Sequence, residues 1–170
     1  MKTEKEKMIA GEYYLAGDPI LVKERRKAKN LLHRLNVTEY RMTKKAKEIL
    51  AELIPNAGKS FYIEPPFHCD YGYNIICGDN VYFNVNCVVL DCAPVNIGSN
   101  VFIAPNVQIY TASHPLDAEL RKSLEKTFKS TSARSNVLNW MLVWWERTLP
   151  SRLRIVFHTS VQLKTPSKVP

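Results

Sequence analysis

The chain has 170 residues, 45% of them apolar, and a formal net charge of +8 from 24 Lys and Arg against 16 Asp and Glu. That length suits one domain with a real core and an appended helical piece, and the most apolar late stretch, 137–157, is interrupted by Glu146, Arg147, Arg152 and Arg154, which argues against a membrane span. The charge is segregated: residues 1–60 hold 14 basic and 8 acidic side chains, 61–127 hold 3 and 7, and 128–170 hold 7 and 1. The basic residues from Lys23 to Lys47 are interleaved with leucines at helical spacing, and the central part is acidic, so nucleic acid is not the expected partner.

Met1 to Met8 is a mixed-charge run without the apolar core of a signal peptide, so a cytoplasmic location is expected. A short helix is predicted over Glu4 to Glu12. Asp18-Pro19 puts a capping side chain before a proline suited to the first helical position, and the helix runs to about Leu35 with Leu21, Ala28, Leu31, Leu32 and Leu35 on its apolar stripe. Thr43 caps a further helix through about Leu53, ended by Pro55 and Gly58.

From Ser60 to Tyr110 the composition turns to Val, Ile, Tyr, Phe and Asn. Ile97, Ile103 and Ile109 fall six apart, with Val101, Val107 and Ser113 four behind; Cys77, Phe83 and Val89 repeat the beat, with Val81 and Cys87 four behind. A helix has period 3.6 and a flat strand period 2, so this beat belongs to neither. It fits a solenoid that turns a corner every six residues and buries one aliphatic per face. The turns Gly78-Asp79-Asn80 and Gly98-Ser99-Asn100 differ by 20 residues where three hexads need 18, so about two residues within Asp91 to Asn96 bulge out. Gly and Asn are expected at the corners because they tolerate positive φ. Cys69, Cys77, Cys87 and Cys92 lack metal-ligand spacing and read as small buried thiols, without metal or disulfide.

Four blocks then carry a resemblance: Lys5 to Glu12, Glu64 to Ile75 (which includes Asp70-Tyr71-Gly72-Tyr73-Asn74), Asn84 to Cys87, and Ile103 to Asp117 with its Ser113-His114-Pro115. Together they resemble maltose and galactoside O-acetyltransferases, over roughly residues 3–126. The resemblance implies a mainly β fold with N-terminal α: a short left-handed parallel β-helix of hexapeptide repeats capped by N-terminal helices. It divides the chain into a helical cap (1–58), a partial β-helix (59–127) and a non-repeat tail (128–170). It implies transfer of acetyl from acetyl-CoA, a cosubstrate, to a sugar such as maltose, glucose or a galactoside, without a metal, in a homotrimer whose sites lie between subunits. His114 matches the family's general base, a role that an imidazole titrating near neutrality suits. Glu125 matches a glutamate near that catalytic group. Asp70 and Asp91 match acids lining the sugar site, Asn84 an asparagine near the acceptor hydroxyl, and Arg25 an arginine of the N-terminal helices. Leu15 departs from the Asp or Asn that many members carry after the first tyrosine motif.

The resemblance stops near Lys126. Members continue with hexads that bind CoA, whereas 128–170 contains no glycine, and a continued coil is not expected there. With Arg147 read as a CGN codon, the codons of Trp144-Trp145-Glu146-Arg147 taken one base later encode Gly-Gly followed by Asn or Ser, so the tail reads as a frameshifted copy. On that reading CoA binding is weakened and turnover is low. The alternative is a catalytically inactive scaffold, or a trimer-forming interaction protein.

Overall fold

A computed structural model of the chain describes residues 1–37, 43–113, 127–130 and 133–135. The N-terminal third is helical where its capping residues dictate. Thr3 and Glu6 form a reciprocal capping box at the start of α1 (Glu4–Ala10), and Gly11, at φ 75°, closes the helix two residues before its expected end. Asp18 accepts the N–H groups of Ile20 (2.9 Å) and Leu21 (3.2 Å) to open α2 (Pro19–Asn36). Thr43 accepts that of Ala46 (3.1 Å) to open α3 (Lys44–Leu53). No helix among the described residues is long and apolar enough to cross a membrane.

Beyond α3 the chain winds through three faces in turn. The first face stacks β2 (Asn56–Ala57), β5 (Ile75–Cys77) and β8 (Val95–Ile97). The second stacks β3 (Tyr62–Ile63), β6 (Val81–Phe83) and β9 (Val101–Ile103), and the third β4 (Phe67–Cys69), β7 (Cys87–Leu90) and β10 (Gln108–Tyr110). All these pairs are parallel, and each partner lies 20 residues on: Tyr62 on Tyr82, Phe67 on Cys87, Ile75 on Val95, Val81 on Val101, Val88 on Gln108. The hexad positions point inward, and Ile63, Phe67, Ile75, Val81, Phe83, Cys87, Val95, Val101 and Ile103 are all buried. Each such side chain contributes roughly 1.5–3 kcal/mol. The four cysteines are free and buried, as their place on or beside the beat implied.

The two-residue excess has the expected place, between the third face and the first at Asp91 to Pro94. It recurs one coil earlier at Asp70 to Asn74, which the hexad count had not singled out. Asparagine takes the positive-φ corners as expected, Gly72 shares that role at 81°, and Gly78 differs. Positive φ falls on Asn80 (57°), Asn100 (59°), Asn86 (61°) and Asn106 (61°), while Gly78 is needed for close approach: a Cβ there would sit 2.4 Å from Ser99 Oγ and 2.7 Å from Ser99 N.

The helices close the lower end of the coil. Leu31, Leu32, Leu35, Ile49, Leu50, Leu53 and Ile54 join one apolar cluster with the first strands. Asn36 imitates a strand below β4, donating to the Phe67 carbonyl (2.9 Å) and accepting the Phe67 N–H (3.0 Å). The stack begins at Asn56, three residues before the expected start at 59. It also extends past 127, where no coil was expected: β13 (Ala133–Ser135) lies parallel on β8, meeting backbone groups that would otherwise lack a partner on that side. Between them, β12 (Thr127–Ser130) pairs antiparallel with both β1 (Tyr13–Leu15) and β11 (Ala112–Ser113). Residues 136–170, with the expected shifted frame, lie outside the described residues.

Candidate functional site

Where the third face turns into the first, the two extended corners stack and gather polar groups. Asp91 is fully buried there, 0% exposed. Its Oδ1 accepts the N–H groups of Asp70 (3.0 Å) and Tyr71 (2.8 Å), and its Oδ2 that of Asn74 (3.3 Å). Asn74 returns a bond from Nδ2 to the Asp91 carbonyl (2.7 Å). Burial lifts the Asp91 carboxyl to about 7, while the N–H groups of Tyr71, Asp70 and Gly72 pull the other way.

Asp70, one coil nearer the helical cap, is half-buried. Cys92 Sγ donates to its Oδ2 (3.5 Å), and the Tyr14 hydroxyl bonds to Cys92 in turn. Burial pushes the Cys92 thiol up to about 12, so it serves as a donor and not as a nucleophilic thiolate. Asp70 Oδ1 has no partner among the described residues, which leaves it able to accept a hydroxyl.

The helical cap grips this corner. Arg25 donates to the Tyr71 hydroxyl and to the Ala16 carbonyl, 2.6 Å each. Glu24 accepts from the Tyr73 hydroxyl (2.6 Å) and from Lys5 Nζ (2.7 Å), whose ammonium lies 4.3 Å from the centre of the Tyr73 ring. Burial raises both phenols, Tyr71 and Tyr73. A small pocket of about 200 Å³ opens beside them, lined by Lys5, Glu24, Lys27, Glu52, Tyr71 and Tyr73 among others.

The structure therefore brings Asp70, Asp91 and Arg25 together. Asn84 is apart, on the corner between the second and third faces, where its Oδ1 accepts the Val85 N–H (2.8 Å). His114 and Glu125 lie outside the described residues. The chain leading to His114 is nonetheless anchored at the Asp91 corner. Thr111 Oγ1 accepts the Ala93 N–H (2.9 Å) and donates to the Leu90 carbonyl (2.7 Å), and Ala112 packs against the cluster of Met8, Tyr14, Leu21, Tyr71 and Cys92. The sequence assigns no site role to Tyr71, Tyr73, Cys92 or Glu24. The alternation of the two tyrosines was the available signal, and Cys92 had read only as a buried thiol. Among the described residues no group of three or more His, Cys, Asp or Glu is arranged to hold a metal.

On the outer side of the second face Tyr62 and Tyr82 stack at 5.6 Å with planes 17° apart, and Phe102 follows at 6.3 Å. Phe102 is 41% exposed. A wider groove of about 560 Å³ lies between α3 and β3. Among the described residues its lining, which includes Lys47, Leu50, Phe61 and Tyr62, has no carboxylate or imidazole.

A family model described as the maltose acetyltransferase hexapeptide capping motif matches residues 7–58, the helices that grip the corner and the first strand. Nodulation protein L of Rhizobium meliloti is 46% identical over 122 residues, 72% of this chain and 67% of that protein. The crystal structure of a maltose O-acetyltransferase from Clostridium difficile 630 matches with a TM-score of 0.74 at 45% identity, over 77% of this chain and 69% of that one. A hexapeptide-repeat acetyltransferase from Vibrio cholerae, complexed with acetyl coenzyme A, matches with a TM-score of 0.67 at 33% identity, over 77% and 69%. The chain spans 60% to 67% of the length of the first curated relatives it matches. Its repeat, its helical cap and these likenesses agree: the chain belongs to the maltose acetyltransferase family of hexapeptide-repeat acetyltransferases, with their left-handed β-helix.

Proposed function

We propose that this chain transfers an acetyl group from acetyl-CoA to a sugar hydroxyl at the Asp70 corner, with His114 as general base. The observation that carries the reading is the Oδ1 of Asp70, without a partner among the described residues, on a corner braced by Asp91, with the strand that leads to His114 anchored at the same place. A sugar hydroxyl is a weak nucleophile. The His114 imidazole takes its proton as the oxygen attacks the thioester carbonyl, and the tetrahedral intermediate then expels the CoA thiolate, which is protonated as it leaves. Glu125 supports the imidazole. Asp70 and Asn84 meet the acceptor, while Asp91 and Arg25 shape the corner behind.

Asn84 and Asp70 occupy different edges of one prism, so a site using both needs the Asn84 edge of a neighbouring subunit. That supports the homotrimer, and the outward stack of Tyr62, Tyr82 and Phe102 is an apolar surface such a neighbour covers. Maltose, glucose and a galactoside are the acceptors to test first. The buried free thiols support a reducing, cytoplasmic setting. Residues 128–170 supply no glycine-cornered hexads to wall the CoA arm, so acetyl-CoA binds weakly and turnover is slow.

Mass spectrometry of the sugar panel after incubation with acetyl-CoA tests the reading. An acetylated sugar formed only in the presence of the chain supports it. Full trimerisation and sugar binding with no acetylated product supports the inactive scaffold instead.

A further inference from the structure

Two consecutive residues of α2 grip two alternate tyrosines of the Asp70 corner: Arg25 takes Tyr71, and Glu24 takes Tyr73. Arg25 forks, its second arm reaching the Ala16 carbonyl in the turn that ends at the helix cap, Asp18. Tyr71 is 3% exposed, so its ring cannot shift without opening the junction between cap and coil. Its N–H shares Asp91 Oδ1 with the N–H of Asp70, so any movement of Tyr71 reaches the Asp70 backbone directly.

We propose that Arg25 is a positioning residue for the acceptor: it aims the Asp70 carboxylate by locking Tyr71 to the Ala16 turn, and acts through Tyr71, without touching the sugar itself. This rests on the sugar-acceptor reading above. The planar fork of a guanidinium suits the task, because it holds two oxygens at fixed spacing where an ammonium holds them loosely. Cys92 fixes Asp70 Oδ2 from the other side, so the clamp and the thiol together define where Oδ1 points.

A double-mutant cycle read out as the affinity for maltose, glucose and a galactoside, by isothermal titration, tests this without needing turnover. Arg25→Met and Tyr71→Phe should each weaken binding roughly tenfold, and the double variant should also stand near tenfold, because both remove one linkage. Arg25→Lys guards against a folding defect: it keeps the charge, loses the fork, and should weaken binding several-fold, again without adding to Tyr71→Phe. A double variant near the product of the single effects overturns the proposal and leaves the acceptor reading standing. Full affinity in Arg25→Lys overturns it too, since charge alone would then suffice. Failure of the unmutated chain to bind any of the sugars overturns both.

Discussion

The buried carboxylate of Asp91 accepts the backbone N–H of Asp70 at 3.0 Å from the preceding coil, so the half-buried acid is set in place by the fully buried one. The match of both residues to sugar-site acids gave them equal standing in sequence. Their depth separates them: Asp91 has both oxygens occupied by the corner backbone, and Asp70 has one oxygen without a partner among the described residues.

Replacing Asp91 by Ala leaves the N–H groups of Asp70, Tyr71 and Asn74 without their acceptor. Each buried donor so abandoned costs about 1–3 kcal/mol. Asp91→Ala should therefore lower stability by about 3 kcal/mol or more in urea unfolding. A loss of a few tenths would show that the corner does not depend on this carboxylate.

The same residue gives a pH dependence of definite sign. Its carboxyl stands near 7 in the folded chain, against about 4 when unfolded. Between those values the folded chain holds a proton that the unfolded chain has lost, so the contribution is full below about pH 4 and fades as pH rises towards 7. Melting temperatures from pH 4.5 to 7.5 should show the parent losing stability relative to Asp91→Asn. A parent whose advantage grows with pH contradicts this.

Gly78→Ala tests the close approach of successive coils. The new Cβ would meet both Ser99 Oγ and Ser99 N, and overpacking of this kind costs about 1–3 kcal/mol. Ser99→Gly should not restore the loss, because the backbone contact remains. Denaturant midpoints of the single and double variants check both statements.

On the outer side of the second face, Tyr82→Lys places a charge in the middle of the aromatic stack. If a neighbouring subunit covers that stack, the variant should shift the chain from trimer to monomer in analytical ultracentrifugation, with little change in far-ultraviolet circular dichroism.

Much of this molecule was legible before any coordinates. Asp18-Pro19 and Thr43 name helix starts because a side-chain oxygen is the only local means of satisfying the first free N–H groups. The six-residue beat names the coil because neither a helix, with period 3.6, nor a flat strand, with period 2, buries an aliphatic at that interval. What the sequence left unread depends on contacts between coils. The reason for Gly78 lies in Ser99, 20 residues on, and not in its own φ. Cys92 looks like filler until the fold puts its thiol against Asp70. Glu24 looks like part of a solvated helix face until the corner supplies Tyr73. The strand at Ala133–Ser135 carries no hexad signal, yet it pairs parallel with β8.

The account stands most directly on His114. The rate of thiol release from acetyl-CoA should depend on added sugar, and His114→Ala should lower that sugar-dependent rate by about 10²–10⁴ while leaving the melting temperature of the chain unchanged. A variant that releases thiol as fast as the parent would contradict it.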